Sequence, residues 1–241
     1  GEFKKNSKHG RGIFTWPNGN CYKGQFEYER ICGVGEMTYA TGHRYKGHWK
    51  DNKKHGKGTF YFVSGAQYVG DWVEDEKHGK GKQTFMPDTF LEESYDGDWV
   101  YGVKHGQGIY TFRKDEGTIY EGAWAKDRRT GKGKITYKDG SYYRGDFVEE
   151  QMHGKGVYIG ADASQYEGEW ERNMRHGTGT HLDSDGSIYH GEYFNNMKHG
   201  RGKLQYPDGN IYEGVWEGNV IVGNGLVGTY TMNIGPTTRG G

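Results

Sequence analysis

Nine tyrosines recur along this chain at a nearly fixed interval, and the interval is too short for one repeat to fold alone. Tyr22, Tyr45, Tyr68, Tyr95, Tyr120, Tyr143, Tyr166, Tyr189 and Tyr212 each open a Tyr-x-Gly-x-aromatic segment, with gaps of 23, 23, 27, 25, 23, 23, 23 and 23 residues. A second motif, Gly-x-Gly, keeps step: its first Gly lies 11 residues after each opening Tyr, from Gly33/Gly35 to Gly223/Gly225, and one more copy stands at Gly10/Gly12. Both length changes fall between a Gly-x-Gly and the next Tyr, around Met86 to Glu93 and around Arg113 to Gly117. A unit of this size cannot bury a face by itself, so it must stack on copies of itself, and stability then adds up along the array.

The elements follow from period-2 alternation. In Tyr45-Lys46-Gly47-His48-Trp49 the Tyr, Gly and Trp share one face while Lys46 and His48 point away, the pattern of a half-buried strand. Gly58, Phe60 and Phe62 share a face in the same way, as do Gly202, Leu204 and Tyr206. Each unit therefore reads strand, turn, strand, turn. The turns are expected at Asn18-Gly19, Asp139-Gly140, Asp185-Gly186 and Asp208-Gly209. A Gly between two large aromatics on one face leaves room for a ring to lie over the backbone. No segment keeps a 3.6-residue apolar period. The expected fold is all-β: an elongated single-sheet array of about ten stacked antiparallel hairpins, very roughly 90 Å long at about 4.8 Å per strand.

Composition agrees with a thin, aromatic-lined fold. The 241 residues include 44 Gly and only 4 Pro; hydrophobic residues make up 32%, but 20 Tyr, 10 Phe and 7 Trp supply large buried areas. Lys and Arg total 32 and Asp and Glu total 32, so no global field draws the chain to nucleic acid. Cys21 and Cys32 are too few for a disulfide framework, which makes a reducing cytosol the expected compartment. No apolar run approaches the ~20 residues of a membrane span.

The ends depart from the pattern. Gly1-Glu2-Phe3 is in register with Gly24-Gln25-Phe26, so the first unit is read as truncated, its Tyr belonging to a longer parent chain. The array is expected over residues 1–225, and 226–241 are read as a capping strand and a tail.

Tyr-x-Gly-x-Trp followed by His-Gly-x-Gly resembles the MORN (membrane occupation and recognition nexus) repeat, with Tyr166-Glu167-Gly168-Glu169-Trp170 and His176-Gly177-Thr178-Gly179 a close match. Cys32, Thr130 and Val222 replace the His, and Phe26, Phe147 and Tyr193 replace the Trp. The resemblance implies a non-catalytic scaffold without cofactor. Within the family, an array of this length looks most like the radial spoke head proteins of the axoneme in cilia and flagella, or like cortical cytoskeletal organisers. It implies protein partners, and self-association through strand edges and grooves is a further expectation.

Three candidate sites follow from the residues. His9, His55, His78, His105, His153, His176 and His199 hold one repeat position. Successive members would sit about 9 to 10 Å apart, whereas zinc holds imidazole nitrogens at about 2.0 to 2.1 Å. Neighbours cannot share a metal, and each His is expected to hydrogen-bond the backbone of its own turn. The second site is an open aromatic groove for an extended peptide or a helix, floored by Tyr45, Trp49, Tyr68, Trp72, Tyr95, Trp99, Tyr120, Trp124, Tyr166 and Trp170. Its alternative is that these rings pack only on one another. The third is a basic edge for anionic lipid or acidic protein tails, formed by Lys53, Lys54, Lys57, Lys77, Lys80, Arg128, Arg129, Lys132, Lys198 and Arg201. No Gly-x-Gly copy completes a phosphate loop, and neither Gly-x-Ser-x-Gly nor His-Glu-x-x-His occurs, so no catalytic residue is expected.

Overall fold

The computed structural model of the protein describes residues 1–222 and 229–231. The chain divides into two compact units, Gly1–Arg128 and Arg129–Gly241. The first begins with a small hairpin, β1 (Phe3–Lys4) and β2 (Ser7–Lys8), and continues with β3 (Gly10–Thr15), β4 (Cys21–Glu27), β5 (Arg30–Thr38), β6 (Arg44–Lys50), β7 (Lys53–Tyr61), β8 (Gln67–Val73), β9 (Glu76–Phe85), β10 (Glu93–Val100), β11 (Val103–Thr111) and β12 (Ile119–Ala125). The second holds β13 (Arg128–Thr136), β14 (Tyr142–Val148), β15 (Gln151–Ile159), β16 (Gln165–Glu171), β17 (Met174–Leu182), β18 (Ile188–Phe194), β19 (Met197–Gln205), β20 (Ile211–Glu217), β21 (Val220–Val222) and β22 (Thr229–Thr231). No helix occurs among the described residues.

From β3 to β12, and again from β13 to β20, every strand pairs antiparallel with its neighbours in sequence. At the far edge β21 and β22 both pair with β20, so the sheet is a run of hairpins that is not closed into a barrel. The all-β, stacked-hairpin class read from the sequence is the observed one. Apart from Thr229–Thr231, the expected cap and tail at 226–241 lie outside the described residues.

Register explains the two glycine motifs. The middle Gly of each Tyr-x-Gly-x-aromatic segment faces the second Gly of each Gly-x-Gly, as in Gly47↔Gly58, Gly58↔Gly70 and Gly70↔Gly81, so a row of bare backbone crosses each unit. Over that row lies the phenol ring of the strand's own Tyr. A methyl group on Gly58 would stand 2.2 Å from Tyr45 Oη. The first Gly of each Gly-x-Gly bends the strand instead. At Gly56, φ is +62°, beside the irregularity between Gly47 and Trp49.

The two sheet edges use different turns. The Gly-containing turns expected from the sequence are loops such as Trp16 to Asn20, in which Gly19 takes φ +88°. The tight two-residue turns lie on the other edge and carry no Gly in most units: Asp51-Asn52 have φ +48° and +69°, and Asn195-Asn196 have +49° and +70°. These are the I′ conformations that suit the twist of a hairpin, and Asn and Asp tolerate them best after Gly.

Candidate functional site

The core of each unit is a ladder of rings on one sheet face. Tyr45 meets Trp49 at 5.0 Å and Trp72 at 5.3 Å, both edge to face, and Tyr68 meets Trp72 at 5.1 Å and Trp99 at 5.3 Å in the same way. Tyr143, Phe147 and Trp170 repeat the arrangement in the second unit. The polar atoms of these rings bond backbone carbonyls, whereas Tyr193 Oη, further along the ladder, is buried without a partner. Tyr68 Oη donates to the Asp71 carbonyl at 3.0 Å, and Trp72 Nε1 donates to the Gly58 carbonyl at 3.2 Å. Burial pushes the Tyr166 and Tyr189 hydroxyls up to about 12.

This geometry corrects the expected aromatic groove. Tyr45, Trp49, Tyr68, Trp72, Tyr95, Trp99, Tyr120, Trp124, Tyr166 and Trp170 are only 0 to 7% exposed, so a ligand meets none of these rings on an open floor. They pack on one another, and cations close the ladder from outside. Lys54 Nζ lies 4.7 Å from the Trp72 ring, Lys77 Nζ 4.5 Å from Trp99, Lys104 Nζ 4.7 Å from Trp124, and Lys198 Nζ 4.9 Å from Tyr189.

The expected basic edge is therefore split. Lys54, Lys77, Arg129 and Lys198 fold over rings, with the Arg129 guanidinium 5.8 Å from Phe147 and also paired with Glu150 at 2.9 Å. Lys57, Lys80 and Lys132 emerge on the opposite face, where each binds an Asp of the next unit: Asp71 at 2.8 Å, Asp98 at 2.7 Å and Asp146 at 2.7 Å. Lys53 pairs with Glu74 at 3.2 Å, and Arg128 sits at the start of β13, also engaged. Arg201 lies on the polar face, its backbone N–H held by Glu192. Residues three apart lie on opposite faces by simple strand alternation, so grouping these cations by turn had merged two faces into one edge.

Those aspartates bind neighbouring strands together. Asp98 accepts the Gln107 N–H at 2.8 Å as well as the Lys80 ammonium. Burial alone would raise its pKa, but the bonds from Lys80 and Gln107 outweigh it and hold the carboxyl below its usual range; Asp146, with Lys132 and Lys155, is held down in the same way.

The histidine expectation is also corrected. Nδ1 of His9, His78 and His176 is buried without a hydrogen-bond partner, and the rings pack instead on aromatics of the following turn: His9 on Tyr28 at 5.1 Å, His78 on Tyr101 at 5.1 Å and His176 on Phe194 at 5.3 Å. The turn backbone is already held from the next unit. Asn196, for example, donates its N–H to the Arg175 carbonyl at 2.9 Å, and its side chain accepts the Arg175 N–H at 2.8 Å.

What stays open is the polar face. In the first unit a trough of about 990 Å³ runs over β6 to β9, lined by Lys46, His48, Lys57, Thr59, Val69 and Lys82 among others. In the second, a trough of about 860 Å³ is lined by Thr178, His190, Glu192, Arg201, Lys203 and Glu213. Sequence reasoning set these residues aside as solvated surface; the signal available was the exposed valines Val34 and Val69 in the first trough.

The model of the MORN repeat matches residues 1–21, 22–44, 45–67, 68–87, 95–115, 120–142, 143–165, 166–188, 189–211 and 212–226. No curated protein matches the chain. Among solved structures, it is similar to the wild-type TCP10 domain of Danio rerio CPAP in complex with a peptide of Danio rerio STIL, at TM-score 0.50 and 13% identity over 87% of this chain and 91% of that one. The TCP domain of Drosophila melanogaster SAS-4 (dCPAP), in complex with a proline-rich motif of Ana2, aligns at TM-score 0.42 and 13% identity over 67% of this chain and 85% of that one.

Proposed function

Because this chain belongs to the MORN repeat family, we propose that it is a non-catalytic scaffold that holds partner proteins by extended segments laid in the troughs of its polar sheet face. The observation that carries this reading is the difference between the two faces: rings and lysines close one of them, while the other keeps an open trough of about 990 Å³. The solved TCP10 domain, similar in fold, holds a peptide of its own partner, which supports the class of ligand. The setting we assign, a ciliary, radial spoke or cortical cytoskeletal assembly, rests on the family resemblance. No observation favours anionic lipid, since most cations named for it are engaged by rings or carboxylates.

Selection of short random peptides on the full chain tests the reading. Val69→Arg fills the first trough from an exposed position. Binders that are lost on the Val69→Arg chain, with its melting unchanged, support the trough as a site; binders that ignore the substitution place the site elsewhere.

A further inference from the structure

The trough of the first unit has a charge order of its own. Reading across neighbouring strands by register, Glu36 faces Lys46, Lys46 faces Thr59, Thr59 faces Val69, Val69 faces Lys82, and Lys82 faces Asp96. The sequence of side chains is acid, base, neutral, apolar, base, acid. Glu36 is tied to Arg44 at 3.2 Å, and Lys57 and Lys80 along the wall are tied to Asp71 and Asp98. Lys46 and Lys82 are exposed, carry no ion pair among the described residues, and both line the trough with Thr59 and Val69 between them.

Spacing turns this order into a ligand. Lys46 and Lys82 stand three strand steps apart, about 14 Å at 4.7 to 4.9 Å per step. An extended peptide lying across the strands rises about 3.4 Å per residue, so four residues cover the same distance. Residues i, i+2 and i+4 of an extended chain point the same way. We propose that this trough binds an extended peptide with acidic side chains four residues apart and an apolar side chain midway, the acids on Lys46 and Lys82 and the apolar residue between Thr59 and Val69. This rests on the scaffold reading above and narrows it to one partner chemistry. The corresponding row of the second unit runs Lys134, Arg144, Val157, Glu167, Thr180, His190, Lys203, Glu213, without the same order, so one site per chain is expected.

The test uses the full chain and three labelled synthetic peptides: one with a Glu-x-Val-x-Glu centre, one of the same composition with the two Glu adjacent, and one with Lys in place of both Glu. Fluorescence anisotropy should show the first binding about tenfold more tightly than the second, as expected for two aligned, partly exposed ion pairs of roughly 0.5 to 1 kcal/mol each. The Lys46→Glu/Lys82→Glu chain should lose that preference and favour the Lys peptide instead. Reversals at Lys4 and Lys50, outside the trough, should change nothing, and Lys46→Gln/Lys82→Gln serves if the reversed chain melts early. Equal binding of all three peptides, or a preference untouched by the reversal, overturns the proposal. So does binding to phosphatidylserine vesicles that the reversal abolishes while no peptide binds. If random-peptide selection yields binders sensitive to Val69→Arg that lack the spaced acids, this inference falls and the scaffold reading stands; if no binder is sensitive to Val69→Arg, both fall.

Discussion

The phenol of Tyr95 lies across Gly97 and Gly108 and donates a 2.9 Å hydrogen bond to the carbonyl of Asp98, three residues along its own strand. That contact joins the two halves of the repeat. The ring needs bare backbone on its own strand and on the next, and its hydroxyl is satisfied only if the strand continues beneath it. Tyr45, Tyr68, Tyr120, Tyr143, Tyr166 and Tyr189 repeat it at 2.9 to 3.1 Å.

Glycines under the rings and glycines in the outer loops therefore differ sharply in tolerance. In Gly70→Ala the new methyl group would stand 2.5 Å from the Gly81 Cα and from Tyr68 Oη, and backbone cannot yield that far. A loss of about 3 kcal/mol or more is expected. Gly65 has φ +89° but nothing within 4 Å, so Gly65→Ala should cost only about 1 to 2 kcal/mol of backbone strain. Chemical denaturation of the two variants checks the order; equal losses would contradict the packing described.

Ring removal separates burial from hydrogen bonding. Trp124 is 4% exposed, and Trp124→Ala should cost about 3 to 5 kcal/mol. Tyr95→Phe keeps the ring and removes the hydroxyl shared between the Asp98 carbonyl at 2.9 Å and the His105 carbonyl at 3.3 Å, so about 1 kcal/mol is expected. Thermal melts of both variants measure the difference.

These contrasts show what was legible in the sequence. Phase, strands and the need for Gly between aromatics were readable because each repeats at a fixed spacing and has a steric cause. The basic edge was misread because it grouped cations by turn and not by face: counted back from Gly58, alternation sets Lys54 with the rings and Lys57 on the other face, where the trough lies. The tight turns were missed because Asp51-Asn52 or Asn195-Asn196 look like ordinary polar loops without Gly. Recurrent Asn at 52, 173, 196 and 219 was the available clue, since each sits at the second turn position and reaches back to a backbone N–H of the previous unit.

That reach predicts a coupling between units. Asn196→Gly keeps the left-handed turn and deletes the side-chain bond to the Arg175 N–H, so about 1 kcal/mol should be lost. Asn196→Ala deletes the bond and strains the turn, and should lose about 1 kcal/mol more. Amide exchange at Arg175 should quicken in both, and unchanged protection there would refute the latch.

Acid should weaken the first unit through Asp98. Its native carboxyl is held below the usual 3.8, against burial, by Lys80 and Gln107. The stabilisation is thus complete above the unfolded value near 3.8 and is lost as pH falls through the lower native one. Asp98→Asn should lower stability at neutral pH and flatten the acid limb, which urea melts across the acid range will show; a limb as steep as in the parent chain would assign it to other groups.

Lys77 should act in the opposite range. Its ammonium donates to Gln83 at 2.5 Å above the Trp99 ring, and burial lowers its pKa from 10.5 to about 8, with Asp127 opposing and Lys104 assisting. Between those values the unfolded chain holds a proton that the folded one lacks, so stability rises from about pH 8 towards 10. Above that the raised hydroxyls of Tyr68 and Tyr95 reverse the trend, because the unfolded phenols ionise first. Lys77→Met should abolish the rise, but it strands Gln83, which is 2% exposed and stands where other units place Phe60, Met37 or Leu204. A loss of about 1 to 3 kcal/mol is expected from the orphaned amide. Lys77→Met/Gln83→Leu should recover most of it and remain flat with pH. Melts of both chains between pH 7 and 10 decide the matter, and a double variant weaker than the single would show that the Lys77–Gln83 pair stabilises the fold beyond what an apolar filling supplies.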